Sequence, residues 1–492
     1  MLEKLAKQTA IYGISTIVVR LLSYLLTPLY TRVFGQAAYG IVTDVYALIP
    51  FALVLLSMGM ESSYFRFAAK AEAEGGTAEE IGAKKRHLFA TTWGATLVAS
   101  SLFFVVVVLL RSTIAQLMGE AYVGHEEYVV LVASIILFDV ATMIPFSRLR
   151  EQGRAMRFVT LKACNVVINV SLAVIFQAVG LFDTTFGVGW VFVTNLVASV
   201  ATFLLILPTT ERTVPRIDRA QLRRILVYSL PLLVGGIAGT ANEFIDRQMI
   251  KYLLPEDISM AQLGIYGAIT KIAVVMTLFT QMYRLAAEPF FLSNFTKEEF
   301  IESNAAALKY YMMASMMIFL GIALFRDVFA LIVGRDFREG IFILPVILGA
   351  NVLAGVWLNL SFWYKREERT SLSIVVTMAG LVVTLGAGVA IIPLWGYDGA
   401  AWVRLLSEAT MVGVSLYLNR RFYPTPYDWR RIGEYVGVAL VLFFGAEWVM
   451  EQCASRVVDY AVATLLFGGY CGYLVRREQI DLRAMVRAFL KR

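Results

Sequence analysis

Among the ionisable side chains that lie in, or at the ends of, stretches apolar enough to cross a bilayer, seven are candidates for function: Arg20, Asp44, Asp246, Arg247, Lys271, Arg404 and Glu408. A charge in mid-membrane costs a few kcal/mol or more, so it faces water, a partner or a ligand. Arg20 is the sharpest case, because it stands at the middle of the first apolar stretch, too deep to reach either surface. Thr9, Gly13, Thr16, Ser23, Thr27 and Thr31 recur with it at spacings of three and four, which puts them on one helix face. Small residues also serve close helix packing. A polar stripe around a central arginine reads as the lining of a wet cavity. Lys271 lies about a third of the way into the eighth stretch from the side predicted to be outside. Its chemistry is that of a site for an anionic headgroup.

The other five are read as gate or ion-coupling groups. Aligning Tyr39-Gly40 with Tyr266-Gly267 registers two weak repeats and sets Asp44 opposite Lys271, at similar depth. The pair reads as working groups, as a static packing pair or as two unrelated snorkelling groups. Glu243 and Arg247 are four apart on one helix face, the spacing of a local salt bridge. Asp246 falls toward the Gly235, Gly239 and Asn242 side. Arg404 and Glu408 are also four apart and can neutralise each other. Asp139, Lys162 and Glu447 are single charges within or near span ends. Glu61 lies toward the end of its span predicted to be cytoplasmic.

The elements that must position these groups are helices. Apolar stretches occupy 9–31, 41–62, 87–110, 128–147, 158–180, 187–208, 225–246, 262–283, 310–325, 340–363, 371–393, 399–418, 432–450 and 457–475. Most have the ~20 residues a helix needs to span the hydrocarbon. With the N-terminus inside, the inner connections hold 32 Lys and Arg, the outer ones 8, and the spans the remaining four (Arg20, Lys162, Lys271, Arg404). A missed or invented span would scramble this bias, so the positive-inside rule supports fourteen spans with both termini cytoplasmic. The chain is then an all-α polytopic membrane protein. Its parts are an N-terminal lobe, 1–208, a cytoplasmic linker, 209–224, a C-terminal lobe, 225–418, two further spans in 432–475, and a cytoplasmic tail, 476–492. Leu482, Met485, Val486, Phe489 and Leu490 give that tail an apolar face, the pattern of an interfacial helix.

The net charge of +7 belongs to short inner loops and to anionic lipid, not to nucleic acid. Cys164, Cys453 and Cys471 show no metal-ligand spacing, and neither His87 nor His125 has a partner at metal or triad spacing. No cofactor or metal is implied. There is no GxxxxGK[ST] phosphate loop, no HExxH and no nucleophile elbow. The longest loops, near 63–86, 209–224 and 284–309, are all on the inner side, and 63–86 reads as a solvated connector. Short outer loops argue against a membrane glycosyltransferase or polymerase. A non-transporting scaffold would leave the polar stripe of the first span without a purpose.

Several short motifs fall in order on this plan: Pro28 leading to Thr31-Arg32 and Tyr39-Gly40, Asp246-Arg247, Gly264-Ile-Tyr266-Gly267 followed by Lys271, and Ala287-Glu288-Pro289-Phe290. The pattern resembles the oligosaccharide (polysaccharide) flippases, in the superfamily that also holds multidrug-and-toxin exporters and peptidoglycan lipid-precursor flippases. The resemblance implies two pseudo-symmetric six-helix lobes of MATE-like architecture plus two C-terminal helices. It also implies alternating access, carrying a lipid-linked oligosaccharide of the undecaprenyl-pyrophosphate type across the bacterial inner membrane for cell-surface polysaccharide assembly. On that resemblance Arg20 and Lys271 bind the diphosphate, and the protein is not an enzyme. Its partners are membrane lipids, a coupling ion (H+ or Na+) and the polysaccharide polymerase machinery. Rival readings on the same fold are an ion-coupled multidrug exporter and a peptidoglycan precursor flippase. Carboxylates should centre a cationic-drug site, and Arg20 and Lys271 argue against that.

Overall fold

The structure, a computed structural model, describes residues 24–211, 213–291, 296–369, 371–452 and 455–479. Arg20, most of the first expected span and the amphipathic stretch of the tail lie outside the described residues. Within them the fold is all helical. Eleven helices are long and apolar enough to cross a membrane, or up to twelve if the bent pair Glu256–Ile272 and Val274–Glu288 is one span. The expectation of fourteen counts two crossings within one of these helices, Ser371–Phe422, and adds the first span. Ser371–Phe422 breaks at Gly396, where φ is +59°, inside the expected outer turn. An L side chain there would be strained, and its Cβ would lie 2.0 Å from Gln262 Oε1. That oxygen instead accepts from Tyr397 N at 3.0 Å.

Helix ends extend past the expected spans. The 63–86 segment is mostly exposed, and it is largely helical: Met60–Ala73 runs on from the second span, and Ala78–Leu109 starts inside the segment. Thr77 and Glu80 form a capping box at that start. Lys84 pairs with Glu74 at 3.0 Å, and Lys85 reaches Glu72 and Glu151.

Two compact units form. The first comprises the described residues up to Lys271, with Val333–Phe337 and Gly380–Val403. Bilayer lipid supplies little hydrophobic drive between helices, so close packing must hold them together. Glycines provide it. A Cβ on Gly40 would lie 2.0 Å from Met260 O, one on Gly264 2.0 Å from Gln36 O, and one on Gly267 2.3 Å from Thr43 Oγ1. The second unit comprises Ile272–Ile332, Arg338–Ala379 and the described residues from Arg404 on. Trp363 stacks on Tyr423 within an aromatic core that includes Phe291, Phe300 and Phe362. Near the chain's end, Lys309 (2.7 Å), Arg431 and Tyr435 all converge on Glu478. Burial alone would raise that carboxyl, but the hydrogen bonds from Lys309, Tyr435 and Arg431 hold it down at about 2.

Candidate functional site

Three of the expected residues come together in the first unit. Asp246 and Arg247 sit on Arg219–Leu253, and Lys271 sits in the last turn of Glu256–Ile272. Asp218 caps the former helix through Ala220 N (2.8 Å) and Gln221 N (3.1 Å). His87 also bonds Asp218, at 2.9 Å, and that bond holds its carboxyl below the usual carboxylate range. Asp246 is buried. It accepts from Tyr266 Oη at 2.5 Å and from Arg247 Nη1 at 3.0 Å. The same Nη1 donates to Glu243 O at 2.9 Å, so Arg247 meets Glu243 at its backbone carbonyl. The guanidinium also lies 5.7 Å from the centre of the Tyr266 ring.

Lys271 is different. The residue as a whole keeps accessible surface although it lies within an apolar span, while its ammonium end is packed around by protein. Among the described residues no carboxylate lies within 4.0 Å of its ammonium, which sits 5.0 Å over the Tyr24 ring and feels the charge of Arg247. Two cations close together, only one of them paired with a described carboxylate, make an electropositive spot that attracts anions. Lys271 is also three residues before Val274, where the paired helices bend by 48°. Such a break frees carbonyls that must find donors. Within the second unit, Asn351 Nδ2 donates to Ala273 O at 3.3 Å.

Asp44 is fully buried, and its partner is Lys251 rather than Lys271. Lys251 Nζ lies 2.5 Å from Asp44 Oδ2, Tyr122 Oη donates to the same oxygen at 2.6 Å, and Gln248 Nε2 donates to Oδ1 at 2.7 Å. Lys251 is only 3% exposed at its side chain. This network ties the Gln36–Ser57 helix to Arg219–Leu253 beside the close glycine crossings. Sequence reasoning missed Lys251 because it ended the seventh span at 246. Pro255 was the available signal, since helices commonly run up to the residue before a proline. Tyr122 and Gln248 gave no signal in the sequence.

Arg404 and Glu408 belong to the second unit. Arg404 Nη2 donates to Asn351 Oδ1 at 3.4 Å, and Glu408 Oε2 accepts from Trp357 Nε1 at 2.9 Å. Glu447 pairs with Arg326 at 2.8 Å, and Glu61 with Arg150. Among the described residues no group of three or more His, Cys, Asp or Glu could hold a metal ion.

A multi-pass helical membrane protein with a lysine at a bent span that no described carboxylate pairs, beside a second cation, has the build of a transporter or flippase. The chain belongs to the family described as "Polysaccharide biosynthesis protein", whose profile matches residues 5–295. Its fold is that of the MurJ and MATE transporters. It superposes on the structure titled "Lipid II flippase MurJ, inward closed conformation" with a TM-score of 0.76 at 12% identity, over 96% of this chain and 100% of that one. An inward-facing multidrug-resistance MATE family transporter matches with a TM-score of 0.63 at 17% identity, over 82% and 98%. A Pyrococcus furiosus transporter of the same superfamily, titled for the reverse polarity of its binding pocket, matches with a TM-score of 0.52 at 17% identity, over 85% and 94%. These identities establish the fold alone. A search of the curated proteins gives no match.

Proposed function

We propose that the chain moves a lipid-pyrophosphate-linked oligosaccharide across the bacterial inner membrane by alternating access. Family and fold support a flippase or transporter. The observation that carries the substrate class is Lys271: an ammonium within a span with no described carboxylate within 4.0 Å, next to Arg247. Arg20 and Lys271 clasp the diphosphate through charge-assisted hydrogen bonds, and the prenyl tail stays in lipid. Arg20 precedes Tyr24, whose ring lies under Lys271, by four positions in the sequence. Two lobes, 1–208 and 225–418, rock about the site. Asp44, Asp246, Arg247, Arg404 and Glu408 act as gate or coupling groups. Release follows when the basic site rehydrates on opening.

The test is headgroup translocation in vesicles of a polyprenyl-diphosphate oligosaccharide, with Lys271→Ala, Lys271→Arg and Arg20→Ala beside the unaltered protein. The two alanine variants should insert normally and translocate at background rate, and Lys271→Arg should keep part of the activity. Normal translocation by both alanine variants refutes the ligand assignment. Dye efflux without glycan-lipid translocation would favour the multidrug-exporter reading instead.

A further inference from the structure

A polar chamber lies wholly inside the first unit, built from residues that the diphosphate reading does not use. It holds about 350 Å³ and is walled by four helices. Gln36–Ala73 contributes Glu61, Glu126–Glu151 contributes Asp139, Thr142 and Arg150, Ala155–Ala178 contributes Lys162 and Asn165, and Gly189–Ile206 contributes Asn195, Ser199 and Thr202. Most of the neutral groups are spoken for. Asn165 Nδ2 donates to Thr202 Oγ1 at 2.8 Å, Asn195 Nδ2 to Tyr46 Oη at 3.3 Å, and Thr142 Oγ1 to Asp139 O at 2.9 Å. Glu61 and Arg150 pair with each other and are both exposed, which marks that end of the chamber as its wet mouth.

Two charges remain. Asp139 accepts at Oδ1 from Ser199 Oγ, at 2.7 Å, and no described donor is bonded to its Oδ2. Lys162 rests its ammonium 4.2 Å over the Phe146 ring, and no described carboxylate lies within 4.0 Å of it. Each feels the other's charge, and Lys162 also feels Glu61. A packing pair would close to a direct contact, because a buried ion pair compensates its desolvation only with good geometry. Here the partners stand apart across a chamber large enough to hold water.

We propose that this chamber is a proton-binding site, with Asp139 the carboxylate that takes up the proton and Lys162 the tethered cation that balances it when the proton leaves. The proton arrives from water at the Glu61–Arg150 mouth and bonds to Asp139 Oδ2; the ammonium then loses its counter-charge and is drawn toward Glu61. Discharge reverses both steps. Because the ammonium already supplies the positive charge facing Asp139, the chamber favours a proton over a sodium ion. The titratable and charged groups around the chamber are Asp139, Lys162, Glu61, Arg150 and the Tyr46 phenol. The inference rests on the transport reading only for its purpose, namely supplying the coupling ion.

Infrared difference spectroscopy of the purified full chain in nanodiscs, titrated across about pH 5 to 9, tests it without any substrate. A protonated-carboxyl band should titrate in the unaltered protein and vanish in Asp139→Asn. In Lys162→Met its midpoint should move by about one pH unit or more. Exchanging choline chloride for sodium chloride should leave it unchanged. Absence of a band assignable to Asp139, or a band displaced by sodium, overturns the proposal. A second arm imposes a pH gradient on vesicles translocating a polyprenyl-diphosphate oligosaccharide: Asp139→Asn should translocate but lose the acceleration by the gradient. If the unaltered protein translocates nothing, the flippase reading fails while the infrared band still decides the proton site.

Discussion

Replacing Asp44 with Asn should destabilise the first unit more than almost any other single polar change in the chain. Asp44 is wholly buried and Lys251 nearly so, at 3% side-chain exposure. The substitution keeps the shape and leaves Tyr122 and Gln248 able to bond the new amide, so the loss isolates the charge. An ammonium then stays buried without compensation, and breaking such a pair from one side costs about 3–5 kcal/mol. Lys251→Met should cost a similar amount by stranding the carboxylate. The double variant Asp44→Asn, Lys251→Met leaves no buried charge and should cost clearly less than the sum, with a coupling of about 2 kcal/mol or more. Unfolding of the purified protein in bicelles, followed by tryptophan fluorescence for the four proteins of the cycle, measures this. Single variants within about 1 kcal/mol of the unaltered protein, or strictly additive losses, would refute the reasoning.

The glycine crossings give a steric prediction: Gly40→Ala puts a Cβ 2.0 Å from the Met260 carbonyl and should cost about 1–3 kcal/mol or more, seen as a lower yield of folded protein. Gly35→Ala, with nothing within 4 Å of its Cβ, is the control and should fold normally. The Glu478 cluster predicts a pH dependence. Its folded-state carboxyl, at about 2, lies below the ordinary value of 4.5, so its stabilisation is fully present above 4.5 and is lost as pH falls toward about 2. Thermal unfolding of Glu478→Gln should therefore differ from that of the unaltered protein at neutral pH and converge with it toward about pH 2. A constant difference across that range would count against the clasp.

Hydropathy and charge bias carried the helical plan far, because membrane spans must satisfy their own backbone and so show as long apolar runs. The same signal cannot locate a bend. The break after Ile272 has neither proline nor glycine to announce it; only the carbonyl of Ala273, bonded by Asn351, reveals how it is accommodated. Helix ends were blurred where polar residues continue a helix beyond the hydrocarbon. That hid Lys251, and it hid how much of 63–86 is helical. The capping box at Thr77 and Glu80 was legible, whereas the Lys85–Glu151 contact depends on tertiary packing. Spacing of four placed Arg247 near Glu243, yet the guanidinium found a carbonyl and Asp246 instead. Repeat register set Asp44 against Lys271, and the fold gave Asp44 a closer cation on the preceding helix. Asp139 and Lys162 stood out only as lone charges, since nothing in one dimension shows a shared chamber.

The most direct test of the central claim is equilibrium binding of a short-chain polyprenyl diphosphate to the purified protein, with and without Lys271. The account predicts that Lys271→Ala weakens binding at least about tenfold, that Lys271→Arg retains most of it, and that added salt weakens the unaltered protein more than the alanine variant. Equal affinity for the unaltered and alanine proteins at low salt would contradict it.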